Sequence, residues 1–221
     1  MSHSDPAELR EPYSGAPLRR AGLPAHPLDL FDAWFDEAAA AGLAEPNAMV
    51  LSTVDPDGTP RSRTVLLKGF DRGGLRFFTN YRSRKGRALL GEPRTAALFP
   101  WHAVRRQVIV VGRAERLSDA ENDRYFRSRP RGSQIGAWAS EHQSSPVPDR
   151  SRLDERYAHW ERVWEGEAEV PRPDYWGGFR IVPAEVEFWQ GGTDRMHDRF
   201  RYRLTSADPA GGGWEIDRLA P

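Results

Sequence analysis

The chain of 221 residues contains no cysteine, which excludes disulfides and thiolate metal sites and suits a reducing compartment. It has no apolar run near the roughly 18 residues of a membrane helix, and its N-terminal stretch lacks the apolar core of a secretory signal. Lys+Arg and Asp+Glu residues both number 32, so no overall basic field attracts nucleic acid or an anionic membrane. We therefore expect a soluble, cytoplasmic protein that binds neither nucleic acid nor membrane.

The signatures of several common catalytic sites are also absent. There is no G-x-G-x-x-G after a strand, no P-loop, no G-x-S-x-G and no H-E-x-x-H. The six histidines are scattered and never paired at metal-ligand spacing, so we expect no metal site. Lysine is scarce: of the 32 cationic residues only Lys68 and Lys85 are lysines. An arginine-favouring genome explains most of this bias, but not where the two lysines lie.

The N-terminal part changes character at about residue 27. Residues 1–26 are rich in Pro, Gly, Arg and Ser without periodicity, which indicates a mobile arm, and residues 27–221 are expected to form a single domain. Apolar residues at helical spacing follow Pro27, and Gly42 is a natural stop, so a helix is predicted between them.

Hairpin-linked extended segments occupy the middle and the end of the chain. Strands are predicted at 48–54, 60–70, 74–80, 94–101, 105–117, 177–183, 184–192, 199–205 and 213–221. A short helix or turn is predicted in 83–93, a helix from a capping box at Ser118 to near Pro130, a polar loop over 131–150, and a helix in 149–167. This order favours a mainly β fold, an antiparallel barrel with helical additions.

Two short cationic segments contain both lysines. RTVLLK has Arg63 and Lys68 at its ends, five positions apart and so nominally on opposite faces unless a bulge or the strand end lets them converge. RSRK, residues 82–85, lies at a turn into a helix, where N–H groups and cations can hold a phosphate. Each segment alone is more typical of a solvated charged surface, but the placement of the lysines favours an anion site.

A third segment, YFRSRPRGSQ, spaces Tyr125, Arg129 and Ser133 by four residues. They would share one face of a continuous helix. Pro130 interrupts it, so a helix end with a hydroxyl beyond is the preferred interpretation. The three could supply donors to a second phosphate, and ordinary helix capping is the alternative.

The motifs together resemble one family. RTVLLK, FFTN followed by SRK, LFPW followed by RRQV, YFRSRPRGSQIGAW, QSS, YWGGFR, EFWQGG, RMHDRF and IDRLAP occur in this order. This series is similar to the pyridoxamine 5′-phosphate oxidase family from about residue 9 to Pro221, with the weakest agreement in 146–170 and 203–213. The resemblance implies an FMN-binding antiparallel split β-barrel that works as a homodimer with FMN between subunits. It further implies oxidation of pyridoxine 5′-phosphate or pyridoxamine 5′-phosphate to pyridoxal 5′-phosphate, with O2 reduced to H2O2.

The resemblance also assigns site residues. The implied FMN-binding residues are Arg63, Thr64, Val65, Leu66, Leu67, Lys68, Phe78, Thr79, Arg84, Lys85, Gln107, Gln143, Ser144, Trp189 and Arg199. The implied substrate-binding residues are Arg10, Tyr13, Lys68, Tyr125, Arg129, Ser133, Arg195, Met196 and His197. Arg195 and His197 are the implied catalytic pair, which holds the pyridine ring over the flavin and, two positions apart on an extended strand, would point to the same side. Arg10 and Tyr13 would close over the site as a lid.

Three departures and two alternatives accompany this assignment. Phe78 stands where tyrosine is common, Met196 where leucine is usual, and Pro12 restricts the arm motif. A split-barrel reductase of another substrate should lack the Tyr-Arg-Ser segment and the Arg-x-His pair, and both are present. A non-catalytic carrier of flavin or pyridoxal phosphate would use the same phosphate sites, so the sequence argues only weakly against it.

Overall fold

Nine strands form one antiparallel sheet in the computed structural model, which describes Asp5, Leu9, Tyr13 and residues 17–211 and 213–221. The strands are β1 (Ala48–Val54), β2 (Pro60–Leu66), β3 (Gly69–Asp71), β4 (Gly74–Asn80), β5 (Arg94–Trp101), β6 (Arg106–Arg116), β7 (Trp176–Gln190), β8 (Asp198–Leu204) and β9 (Trp214–Leu219). Their order is β2-β1-β5-β6-β7-β4-β3, and β8 pairs with both β7 and β9. The predicted mainly β, antiparallel barrel-type fold is confirmed.

The longest strand, β7, organises the sheet. β4 pairs with residues 176–181 of β7, whereas β8 pairs with residues 185–190. β6 accompanies it on the other edge and shifts register between Val111 and Gly112. The two ends of β7 therefore have different neighbours, and each end supports different side chains.

Five α-helices flank the sheet in the part of the chain that the structure describes. They are α1 (Pro27–Ala40), α2 (Arg84–Gly91), α3 (Asp119–Ser128), α4 (Arg131–Ala139) and α5 (Ser151–Val163). The predicted capping box of α3 is confirmed, since the Glu121 amide donates to Ser118 Oγ and the Glu121 carboxylate accepts from the Ser118 amide. No helix in these described ranges is long and apolar enough to cross a bilayer.

The main core lies between α1 and the sheet. Phe31 of α1 is fully buried, and its ring centroid is 4.9 Å from that of Phe99 and 5.0 Å from that of Phe70. Trp34, one turn on, contacts Phe188 edge to face. The apolar periodicity after Pro27 thus predicted the correct buried face.

Residues 17–26 of the predicted arm pack against this core. Leu18 and Leu23 contact the core cluster, and the Leu18 amide donates to Asp198. His26 is buried; its Nδ1 accepts the Leu28 amide at the start of α1, and its Nε2 lies 2.8 Å from the Pro209 carbonyl oxygen. This end of the arm is therefore tied to α1 and to the loop between β8 and β9.

Three predictions of secondary structure were wrong. The segment 60–70 is not one strand, because β2 ends at Leu66 and β3 begins at Gly69. The segment 131–150 is not a loop throughout, because α4 occupies its first nine residues. The segments 177–183 and 184–192 are not two strands, because β7 continues through Pro183. Pro183 lies at the register shift, opposite Gly112, where the ladder is already interrupted and a missing N–H is tolerated.

Candidate active site

A cavity of about 610 Å³ lies where the end of β2 and the end of β4 meet the α3–α4 junction. Eleven residues with implied site roles line it: Thr64, Val65, Leu66, Lys68, Phe78, Thr79, Lys85, Tyr125, Arg129, Ser133 and Gln143. Segments far apart in sequence thus converge on one chamber. We call these residues, with Arg63, Arg84 and Ser144 beside them, the cavity group.

The end of β2 explains how Lys68 enters the cavity although Arg63 does not line it. β2 ends at Leu66. Two residues later, the Lys68 amide donates to the carbonyl of Arg76, a residue of β4, at 2.8 Å. The alternation of faces is therefore broken between the two cations. The Arg63 guanidinium instead donates to Thr53 Oγ1 at 2.8 Å and to the Leu51 carbonyl at 3.1 Å. Leu67 is buried in the core.

The start of α2 gathers positive charge beside the cavity. Lys85 Nζ lies 3.2 Å from Thr79 Oγ1, and burial, followed by repulsion from Arg63, lowers the pKa of Lys85. Burial also lowers the pKa of Arg63. Arg84 donates its amide to Ser144 Oγ at 3.3 Å, and its Nε lies 3.0 Å from Asp55 Oδ2. Amides at a helix N-terminus together with buried cations suit a phosphate.

The α3–α4 junction presents a second cation. α3 ends at Ser128 and α4 begins at Arg131, so Pro130 does interrupt the helix as predicted. Arg129 Cζ lies 4.7 Å from the centroid of the Trp176 ring, and its Nη1 is buried without a hydrogen-bond partner. Burial lowers the pKa of Arg129. Within the described residues this guanidinium has no carboxylate partner, so its donors remain available to an anion.

An aromatic stack connects these two cationic positions. The Phe78 ring lies 3.9 Å from the Tyr125 ring and 5.5 Å from the Trp176 ring, and all three are nearly parallel. Burial raises the pKa of Tyr125, so its hydroxyl stays protonated as a donor. Phe78 therefore keeps the packing role that a tyrosine ring would have at this position.

The remaining predicted residues lie at the other end of β7. Gln107 of β6, Trp189 of β7 and Arg199 of β8 stand side by side in register on three adjacent strands. The Trp189 ring is 4.6 Å from the His197 ring, and the Tyr13 ring contacts both at 6.0 and 5.8 Å. We call Gln107, Trp189, Arg195, His197 and Arg199 the β7-end group.

The loop after β7 differs from the predicted extended strand. Thr193–Arg195 form a 3₁₀ turn, and Arg195 has a left-handed backbone with φ of 64°. The prediction that Arg195 and His197 point to one side of a strand is therefore wrong. Gly192 makes the turn possible, because a Cβ there would lie 2.0 Å from the Met196 carbonyl oxygen. The Gly192 amide donates to His197 Nδ1 at 3.1 Å, so in the neutral ring Nε2 carries the proton.

Arg199 is held from two sides, and Met196 is largely exposed. The Arg199 Nε donates to Glu187 at 2.8 Å and its Nη1 to the Ala220 carbonyl at 3.0 Å. The hydrogen bond to Glu187 raises the pKa of Arg199. Met196 is 69% exposed. Arg10 lies outside the described residues.

The two groups include residues from opposite ends of β7. Trp176 lines the cavity, and Trp189 follows it thirteen residues later on the same strand. At about 3.3 Å per residue this is a separation of roughly 40 Å along β7.

Comparison with known proteins decides the family. Residues 35–164 match the profile described as pyridoxamine 5′-phosphate oxidase, and residues 176–221 match the pyridoxine 5′-phosphate oxidase C-terminal dimerisation region. The chain belongs to the pyridoxamine 5′-phosphate oxidase family. As a member it is an oxidoreductase with FMN as its cofactor, and the C-terminal region supports a homodimer.

Relatives cover the whole chain. A Thermobifida fusca protein named pyridoxine/pyridoxamine 5′-phosphate oxidase is 68% identical over 100% of both chains. A Salinispora arenicola protein of the same name is 52% identical over 98% of this chain and 96% of its own. PhzG from Burkholderia lata, solved with tetrahydrophenazine-1-carboxylic acid, has a TM-score of 0.83 at 32% identity, covering 91% of this chain and 95% of that one. An FMN-binding protein from Nostoc punctiforme shares the fold, with a TM-score of 0.70 at 16% identity, covering 90% of this chain and 100% of that one.

Sequence reasoning missed several cavity residues. Trp176, Asn80 and Ser140 line the cavity, although no role was assigned to them. Trp176 and Asn80 belong to the YWGGFR and FFTN motifs, which served only to carry the resemblance. In the sequence, Trp176 and Asn80 could be recognised only as an aromatic and an amide residue at the end of a strand. Such a position does not by itself indicate contact with a ligand.

Proposed function

We propose that this chain oxidises pyridoxamine 5′-phosphate and pyridoxine 5′-phosphate to pyridoxal 5′-phosphate, with FMN as the flavin and O2 reduced to H2O2. The observation that carries this proposal is the unpaired guanidinium of Arg129 in the same cavity as Lys85. Two separate cationic positions suit two phosphates, one on the cofactor and one on the substrate. The names of the two bacterial relatives support the same reaction.

FMN fits the cavity group by the chemistry of its donors. Arg63, Arg84 and Lys85 would hold the phosphate, next to the amides of α2 and the Ser144 hydroxyl. Val65 at the cavity wall would run beside the flavin. The proposed flavin contacts are completed by Thr64, Leu66, Leu67, Lys68, Phe78, Thr79 and Gln143, and by Gln107, Trp189 and Arg199 of the β7-end group.

The substrate phosphate would occupy the α3–α4 junction. Arg129 supplies a guanidinium that no carboxylate neutralises, and Tyr125 and Ser133 add hydroxyl donors at the same cavity wall. Lys68 lies between the two proposed phosphates and serves both. Ring contacts come from Arg195, Met196 and His197, covered by Tyr13 and Arg10 of the arm.

The complete site is proposed to form between two subunits. The cavity group of one subunit would meet the β7-end group of its partner, since Trp176 of the cavity wall and Trp189 of the β7-end group lie at opposite ends of β7. The C-terminal match to a dimerisation region covers β7 from its first residue and includes β8 and β9. FMN would then lie at the subunit interface.

In this site the chain's own residues orient and shield the reactants. FMN would supply the hydride acceptor for the hydrogen that leaves C4′ of the substrate. Arg195, a planar guanidinium on the exposed loop, would cover the pyridine ring and fix its position. His197 has Nδ1 occupied by the Gly192 amide, so Nε2 is the nitrogen that would face the substrate oxygen. We assign His197 to orientation, since the departing hydride needs little acid–base assistance.

Purified protein provides the direct test. We expect an FMN absorption spectrum and, on addition of pyridoxamine 5′-phosphate in air, equal amounts of pyridoxal 5′-phosphate and H2O2. Bound FMN without either product would overturn the oxidase and leave a carrier. A parallel assay with tetrahydrophenazine-1-carboxylic acid, the ligand of the PhzG structure, should show no comparable turnover, because that acid has no phosphate for Arg129.

A further inference from the structure

A buried carboxylate, that of Asp55, lies among the cations of the proposed FMN phosphate site. Asp55 is only 6% exposed, and its Oδ2 lies 2.8 Å from Arg61 Nε and 3.0 Å from Arg84 Nε. Arg63 is close enough for the charge of Asp55 to act on it, and Lys85 close enough to interact with Arg63. A carboxylate is unexpected on charge alone in a site proposed for a phosphate dianion. The reason for its presence must therefore lie in the contacts that Asp55 makes.

The backbone fixes Asp55 where β1 ends. Its amide donates to the Thr59 carbonyl at 2.9 Å, and its carbonyl accepts from the Gly58 amide at 2.8 Å. Its side chain then reaches Arg84, the first residue of α2, which is 29 residues away in sequence. The carboxylate thus connects the β1–β2 hairpin to the helix start that faces the cavity.

The contact between Asp55 and Arg84 uses only Nε of the Arg84 guanidinium. Asp55 engages Arg84 through Nε, and within the described residues the terminal nitrogens of Arg84 have no hydrogen-bond partner. Those two nitrogens are the pair that binds a phosphate in bidentate fashion. Without an anion between them, Arg61, Arg63 and Arg84 would repel one another, and the exposed Arg84 side chain would turn towards solvent.

We propose that Asp55 is a positioning residue for the FMN phosphate, acting through Arg84 and held on its other side by Arg61. This inference rests on the proposed function. It predicts the direction in which FMN affinity changes when Asp55 loses its charge. The field of Asp55 alone repels a phosphate, so loss of the charge by itself would strengthen FMN binding, whereas loss of positioning weakens it.

The experiment compares Asp55→Asn with Asp57→Asn by titration of FMN into flavin-depleted protein. Asp57 lies in the same turn and is fully exposed, and its carboxylate accepts the Thr59 amide at 2.9 Å. We expect Asp55→Asn to raise the FMN dissociation constant about tenfold or more, and Asp57→Asn to change it by less than about twofold. An unchanged or lower constant for Asp55→Asn overturns the proposal.

Two further measurements separate positioning from a general loss of structure. Asp55→Asn should weaken riboflavin, which has no phosphate, by less than about twofold, because Arg84 has nothing to bind there. In a double-mutant cycle, Asp55→Asn should add little to Arg84→Ala, because both remove one interaction. Equal loss of riboflavin and FMN, or additive effects, would refute the role. Failure of the wild-type protein to oxidise pyridoxamine 5′-phosphate would instead refute the proposed function, since the titrations do not depend on turnover.

Discussion

The guanidinium carbon of Arg129 lies 4.7 Å from the centroid of the Trp176 ring, and a second ring, Phe126, lies 5.6 Å away. Aromatic faces stabilise a cation without accepting its hydrogen bonds as a carboxylate would. Arg129 is thereby held in place while its N–H donors stay available. Trp176 is consequently as much a part of the proposed substrate site as the arginine.

Removal of the Trp176 ring face should weaken substrate binding. Cation–π contacts contribute about 0.5–2 kcal/mol, so Trp176→Leu should raise KM for pyridoxamine 5′-phosphate by roughly 2- to 30-fold. Trp176→Phe retains a ring face and should recover most of the loss. Trp160→Leu is a matched control, because Trp160 contacts Trp138 at 4.6 Å in the same aromatic cluster but does not contact Arg129. An equal rise in KM for unphosphorylated pyridoxamine would show that the effect does not concern the phosphate.

Lys85 should have opposite effects on the fold and on the cofactor. Because burial lowers its pKa, the folded pKa lies below the unfolded one. The charged lysine therefore destabilises the ligand-free fold at pH values below its folded pKa, and this penalty decreases as pH rises from the folded pKa to the unfolded pKa. Ligand-free Lys85→Met should melt at a higher temperature than wild type near neutral pH, with the difference shrinking in alkaline buffer.

The same Lys85→Met variant should lose FMN. A hydrogen bond to a charged group contributes about 1.5–3 kcal/mol, which corresponds to a roughly 10- to 150-fold higher FMN dissociation constant. Arg87→Met, two residues further along α2 with an exposed side chain, should change it by less than about twofold. A variant that melts lower and keeps its FMN would contradict both halves of this prediction.

Arg195 should matter for turnover and not for flavin retention. We expect Arg195→Leu to lower kcat/KM on the order of 100-fold, because the substrate ring is no longer held in reactive geometry. The bound FMN, measured by absorbance after gel filtration, should stay at the wild-type level. Arg203→Leu on nearby β8 removes ion pairs with Asp217 and Glu215 and should leave turnover intact. Loss of flavin from Arg195→Leu would show that cofactor and substrate residues are wrongly divided.

Mixed dimers test whether the site is shared. Arg129→Leu damages the cavity group and Arg195→Leu the β7-end group, so each homodimer should be inactive. Random mixing makes half of the dimers mixed, and one of the two sites in a mixed dimer receives both intact groups. Unfolding and refolding the two variants together should therefore restore about a quarter of wild-type activity. No recovery, in a mixture shown by tagged chains to exchange subunits, would place both groups of each site in one chain.

The sequence predicted the elements with strong local signals and missed those held by distant contacts. The capping box at Ser118 and the apolar stripe after Pro27 were sufficient to locate α3 and α1. α4 was missed because Gly132 and Gly136 weaken its local helical preference. It is held instead by the buried Gln134 side chain, which donates to carbonyls at the end of α3.

Site residues were likewise predicted where the local sequence was sufficient and missed where distant contacts decide the structure. The cations of RTVLLK and RSRK were identified from their positions alone, and most of them lie at or beside the cavity. The left-handed Arg195 was not predicted, because its backbone depends on a close approach between Gly192 and Met196. Nor could the sequence show that Trp176 and Trp189 lie at opposite ends of one strand, since Pro183 argued for a break there.

The span of β7 has a genetic consequence. In the proposed dimer each copy of β7 serves two active sites, one at each end. When a normal and a defective copy assemble, a lesion confined to one end spares the site at the opposite end of the assembly. A lesion at the buried centre of the strand, for example at Val186, distorts both ends at once. Central β7 substitutions should therefore behave as dominant negatives. Two substitutions at opposite ends of β7, carried by different copies, should complement each other.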